Sequence, residues 1–107
     1  MRAMQLAGAL AVAFSGTAFG KDALCYTTHD GEYPCAFTGL DDKGSFQIAA
    51  EGKPTFQLWI EAPGVASVGA TYEAGGRSIP LPGTYQRSED DRACWENAET
   101  ETGICAW

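Results

Sequence analysis

Two stretches of this chain are bounded by cysteines: CYTTHDGEYPC, from Cys25 to Cys35, and CWENAETETGIC, from Cys94 to Cys105. Each has turn-forming residues at its centre and β-formers on either side, the pattern of a hairpin whose strands are stapled together. Centring the first hairpin on Asp30 gives the three-residue loop His29-Asp30-Gly31, with Gly31 at the position that calls for left-handed backbone. Counting outward sets Cys25 directly opposite Cys35, at a separation a disulfide spans. Pro34 has no N–H to give and must then face away from the ladder. In the second stretch a four-residue loop, Ala98 to Glu101, sets Cys94 opposite Cys105 and Trp95 opposite Ile104. The nested alternative, Cys25 with Cys105 and Cys35 with Cys94, would join the two ends of the chain. The hairpin registers favour the local pairing. By loop entropy each bridge, closing a loop of about a dozen residues, contributes roughly 2.5–3 kcal/mol. A metal site is not expected from these cysteines, because no pair has the C-x₂₋₄-C spacing.

Disulfides imply an oxidising compartment, and the first twenty residues, MRAMQLAGALAVAFSGTAFG, agree with it. Arg2 gives a short positive region, Met4 to Phe14 are apolar apart from Gln5, and small residues stand at Ala18 and Gly20. That is the pattern of a secretory signal peptide cut after Gly20. The apolar run is shorter than the roughly 20 residues a membrane helix needs, so no membrane association is expected once residues 1–20 are removed. The mature chain, residues 21–107, is one domain. Its 87 residues bury only about 60–65% of the unfolded surface, and cross-links matter at that size. With Arg2 gone, six Lys and Arg stand against fourteen Asp and Glu, a net charge of −8. Nucleic acid is therefore not an expected partner, because its phosphates need a basic face.

Turn signals recur every 8–12 residues through the mature chain, at Asp41-Asp-Lys-Gly, Glu51-Gly-Lys-Pro, Ala62-Pro-Gly, Ala74-Gly-Gly and Pro82-Gly. Between them the runs alternate. Phe56, Leu58 and Ile60 fall on one face of TFQLWIE, with Thr55, Gln57 and Trp59 on the other. Phe46 pairs with Ile48, and Ala66, Val68, Ala70 and Tyr72 align. Pro80 makes RSIPL an edge or bulged strand. Evenly spaced short strands predict an all-β fold, a small antiparallel β-barrel or β-sandwich with two disulfides. Only Ser88-Glu-Asp-Asp-Arg-Ala offers a helical turn, capped by Ser88.

No catalytic constellation can be assembled. His29 is the one histidine, at a hairpin tip with no nucleophile nearby, and no serine sits in an elbow motif. The acid runs Asp41-Asp42 and Glu89-Asp90-Asp91 lack the spacing of a calcium loop, so neither metal nor cofactor is expected. The aromatics are the stronger candidates. Trp59, on the polar face of its strand, and Trp95 could stack on a sugar ring or a partner, or instead serve as core or cover packing of the barrel, Trp59 against Trp107.

The segment Ser67-Val-Gly-Ala-Thr-Tyr72, followed by Glu73-Ala-Gly-Gly, is similar to a stretch in the periplasmic inhibitors of C-type lysozyme. Those inhibitors carry Ser-Gly-x-x-Tyr on the loop that enters the enzyme; here one extra residue separates Ser67 from Gly69. The similarity covers residues 67–76. It implies a small exported, disulfide-bonded β-barrel and makes Ser67 and Tyr72 candidate contact residues for a basic hydrolase, to which an acidic protein is steered.

The sequence therefore predicts a monomeric, non-enzymatic binding or accessory domain of the cell envelope, periplasmic or secreted. Two alternatives name its partner: a cationic protein, as for an inhibitor of a basic hydrolase such as lysozyme, or a glycan such as peptidoglycan.

Overall fold

A computed structural model describes residues 20–107; the predicted signal peptide lies outside the described residues apart from Gly20. The described residues form nine strands: β1 Lys21–Thr27, β2 Gly31–Gly39, β3 Phe46–Ala49, β4 Thr55–Ala62, β5 Val65–Thr71, β6 Ile79–Pro80, β7 Tyr85–Arg87, β8 Cys94–Asn97 and β9 Thr102–Ala106. All pairings are antiparallel, and each strand except β6 pairs with the next in a ring from β1 through β5, β7, β8 and β9 back to β1. The result is a closed eight-stranded barrel. The short β6 lies on the outer half of β5, with Pro80 opposite Gly69, which is the edge position predicted for that proline.

The period-2 pattern decides what is inside. Cys25, Tyr33, Cys35, Phe46, Ile48, Leu58, Ala66, Val68, Tyr85, Trp95 and Ile104 form one core, with Phe37, Phe56 and Ile60 packed against it. At roughly 25 cal/mol per Å² of apolar surface, each large side chain among them stabilises the fold by about 1.5–3 kcal/mol. Phe37 and Phe46 stack across β2 and β3 with centroids 5.0 Å apart. The Arg87 guanidinium lies 4.6 Å from the centroid of the Trp95 ring, a cation–π contact. Ring closure also reaches the chain end. Leu24 and Trp107 exchange both backbone hydrogen bonds, at 3.2 and 2.8 Å.

Both disulfides form as predicted, Cys25–Cys35 and Cys94–Cys105, and the second hairpin has the predicted register. The first does not. Thr27 pairs with Gly31 and Cys25 with Tyr33, so the loop is Thr28-His29-Asp30 and the cysteines are diagonal neighbours, with Cα atoms 5.9 Å apart. Gly31 is left-handed, at φ 72°, but as the first residue of β2 instead of the last of the loop. The frame is fixed by the neighbouring strand: Thr28 accepts a hydrogen bond from the Gly103 N–H through its hydroxyl and donates its own N–H to the Gly103 carbonyl. Pro34 does face away from β1. Its partner Leu24 bonds Trp107, and β3 has already ended at Ala49 on its other side.

No helix forms between Ser88 and Ala93. The Ser88 hydroxyl instead accepts the N–H groups of Asp90 and Asp91, and the Asp91 carboxylate accepts that of Ala93. These local side-chain bonds offer the backbone an alternative to the helical turn.

Candidate functional site

The outer face of β4 and β5 carries the most organised set of exposed groups. Trp59 stands there at 45% exposure, directly opposite Ser67. Beyond it the register slips between Ile60 and Ala62, leaving Glu61 as the extra residue of a β-bulge, a device that re-aims a side chain. The bulge turns the Glu61 carboxylate to accept a 2.8 Å hydrogen bond from the Ser67 hydroxyl. On the other side of Trp59, Gln57 donates to Gln47 and to Thr71, at 3.4 and 3.3 Å, and accepts from Ser78 at 2.8 Å. Ser78 closes over Gly69, where an added Cβ would collide with its hydroxyl. A broad indole face thus lies between a hydroxyl–carboxylate pair and an amide–hydroxyl network on one sheet surface. Among the described residues the Trp59 indole N–H has no hydrogen-bond partner, whereas the Trp107 indole N–H is held by the Asp91 carboxylate at 2.8 Å.

The structure does not bring Ser67 and Tyr72 together. Ser67 faces outward in mid-strand beside Trp59. Tyr72 follows the end of β5, five residues or about 16 Å further along at the usual strand rise, and is 58% exposed. It stands at one mouth of the barrel and begins an exposed run through Pro80. Trp95 offers nothing to a ligand. It is 1% exposed and fills the barrel interior opposite Ile104, so the alternation that places Trp59 outside places Trp95 inside.

The mouth at Tyr72 holds a pocket of about 270 Å³, lined by Phe56, Tyr72, Leu81, Tyr85 and Ile104, with His29 and Asp30 from the β1–β2 turn. Asp30 also meets Lys53 at 3.6 Å, and the Lys53 ammonium lies 5.3 Å from the centroid of the Tyr33 ring. The Tyr33 hydroxyl is buried with no hydrogen-bond partner among the described residues. Burial, and then the Asp30 charge, push its phenol above the ordinary value, so it stays protonated.

A larger depression of about 860 Å³ is an open trough over β7, β8 and β9, lined by Glu89, Asp90, Glu96, Glu99 and Glu101 among others. Sequence reading assigned none of these acids beyond the Glu89-Asp90-Asp91 run. Only the pairing of β8 with β7 and β9 gathers them. No group of three potential metal ligands occurs among the described residues. In comparisons with known proteins, no family model matches the chain, no curated protein is significantly similar to it, and no solved structure matches it significantly.

Proposed function

We propose that this protein is a non-enzymatic, glycan-binding domain of the cell envelope, periplasmic or secreted, and that the outer face around Trp59 is its binding surface. Two disulfides support an oxidising compartment. One observation carries the ligand class: an exposed indole flanked within the same sheet face by the Ser67–Glu61 pair and the Gln57 network. The apolar faces of a sugar ring stack on such an indole, and its hydroxyls need adjacent donors and acceptors of both kinds. The rigid barrel holds these groups in place without a loop having to order, which lowers the entropic cost of binding.

The test is titration of the oxidised protein with soluble peptidoglycan fragments and neutral oligosaccharides, read by tryptophan fluorescence. Trp59→Ala should abolish the change while Trp107→Ala retains it, and the affinity should hardly vary with salt. A response that survives Trp59→Ala, or none with any glycan, refutes the assignment.

The acidic trough supports a second reading, a cationic protein partner such as a basic hydrolase. Five carboxylates on one concave face would steer a basic surface to it. Binding of that kind weakens steeply with salt and is indifferent to Trp59→Ala. Reversing Glu96 and Glu99 to lysine should abolish it.

A further inference from the structure

The pocket in the barrel mouth is separate from the Trp59 face, and its chemistry is different. Its walls come from four segments: the β1–β2 turn, the start of β4, the stretch from Tyr72 to Tyr85, and β9. Eight-stranded barrels have room inside for packed side chains or one small ligand. Here the deeper layers are filled by the Cys25–Cys35 disulfide, Ile48, Leu58 and Trp95. The layer at the mouth is not: a pocket opens there, bordered by Thr27 of β1 and by Thr102, Gly103 and Ile104 of β9. At about 270 Å³ the space falls just below the range for drug-sized ligands, which limits an occupant to a small molecule.

Charge then narrows the class. Among the described residues three aromatics line the pocket, Phe56, Tyr72 and Tyr85, Asp30 is its one charged residue, and no Lys or Arg lines it. The whole chain carries a formal net charge of −7 at pH 7. Aromatic faces attract cations through their quadrupole, a carboxylate adds to that attraction, and the net negative charge raises the local concentration of cations. The protein already shows the preference with its own side chain. Lys53 places its ammonium against Asp30 and over the Tyr33 ring.

We propose that the barrel mouth binds a small organic cation, its ammonium group held between the Asp30 carboxylate and the aromatic lining of Phe56, Tyr72 and Tyr85. The Lys53 ammonium is then a competitor for Asp30, and two substitutions move affinity in opposite directions. Asp30→Asn removes the attraction and Lys53→Met removes the competitor. A pocket that selects by shape and apolar contact alone would not produce that split.

The probe is choline, compared with its neutral carbon isostere 3,3-dimethylbutan-1-ol, each titrated into the oxidised protein at neutral pH and matched ionic strength. Binding is read by calorimetry and located by amide shifts in nuclear magnetic resonance. Choline should bind at least about tenfold more tightly than the alcohol, given the usual worth of a desolvated cation–π contact, and should shift His29, Asp30 and Thr102. Tyr72→Ala, at an exposed position, should weaken choline about tenfold. Asp30→Asn should weaken it several-fold, and Lys53→Met should strengthen it. Equal affinity for the two probes, no binding of either, or shifts located away from the mouth would overturn the proposal. So would affinity changes of the same sign in Asp30→Asn and Lys53→Met.

Discussion

Asn97 is a buried amide whose removal tests the hairpin energetics directly. It is 1% exposed and uses both ends of its side chain. Its Nδ2 donates to the Pro82 carbonyl at 2.9 Å, and its Oδ1 accepts the N–H groups of Glu99 and Thr100 at 3.0 and 3.2 Å. Three bonds at about 1 kcal/mol each set an upper value near 3 kcal/mol for Asn97→Ala. Glu99 and Thr100 lie on an exposed turn, where water replaces part of what they lose, which brings the expected cost to about 2 kcal/mol. A domain of this size has roughly 4–13 kcal/mol in hand, so urea unfolding should resolve the change. The melting temperature should fall by about 8–16 °C. Asn97→Asp separates the two ends of the amide. A carboxylate still accepts from Glu99 and Thr100 but sets an oxygen against the Pro82 carbonyl. That aspartate would have a raised folded-state pKa, so its destabilisation should be complete above that value and fade as acid protonates the carboxyl and restores a donor. Asn97→Ala should show no such pH dependence. A cost below about 0.5 kcal/mol for Asn97→Ala, or an Asn97→Asp deficit that does not shrink in acid, would refute the reasoning.

Other positions give further expectations. Trp95→Ala should cost about 3–5 kcal/mol in urea unfolding, whereas Trp59→Ala should stay within about 0.5 kcal/mol because it empties no core. Replacing Cys94 and Cys105 together with serine should cost roughly 2.5–3 kcal/mol, and hydrogen exchange at Leu24 and Trp107 should accelerate first, since their mutual pairing depends on β9. Asp41 provides the opposite pH signature to the Asn97→Asp variant. The Ser45 hydroxyl, then the N–H groups of Lys43 and Ser45, hold its carboxyl below the ordinary 3.8. Its stabilising contribution is therefore present above 3.8 and lost as pH falls through the lower folded value. Asp41→Asn should be less stable than the parent at neutral pH, with a difference that closes in strong acid.

The sequence made some of this legible and hid the rest for identifiable reasons. Alternation assigned the faces, because each strand has one side in the core: Phe46, Ile48 and Leu58 are inside and Trp59 outside. The same rule marks Trp95 as core through its partner Ile104, whereas residue type alone does not tell a buried aromatic from a binding platform. The disulfides were readable because a shift of the hairpin centre by one residue moves each partner by two and leaves every side chain on its face. For the same reason the first register was not. Gly31 satisfies a left-handed position in either frame, and the choice was made by Gly103, seventy-five residues from Thr28. The barrel, as against a sandwich, likewise depends on the pairings of β9 with β1 and β7 with β5, which leave no local mark. The Glu61–Ser67 bond needs a bulge that no turn residue announces, and the mouth pocket and acidic trough are assembled from segments far apart in sequence.

The ring formed through Leu24 and Trp107 has one more consequence. A closed ladder has no first strand, so the order in which its strands are strung together is a matter of connection alone. The exposed run from Glu73 to Ser78 is a place where the chain could begin, and a short link from residue 107 to residue 21 would replace the break. Such a circular permutant would keep every strand pairing and both cysteine pairs. It would also put the cysteine-bounded hairpins next to each other in the middle of the chain, where the long-range pairing of β9 with β1 becomes local while that of β5 with β6 and β7 becomes long-range.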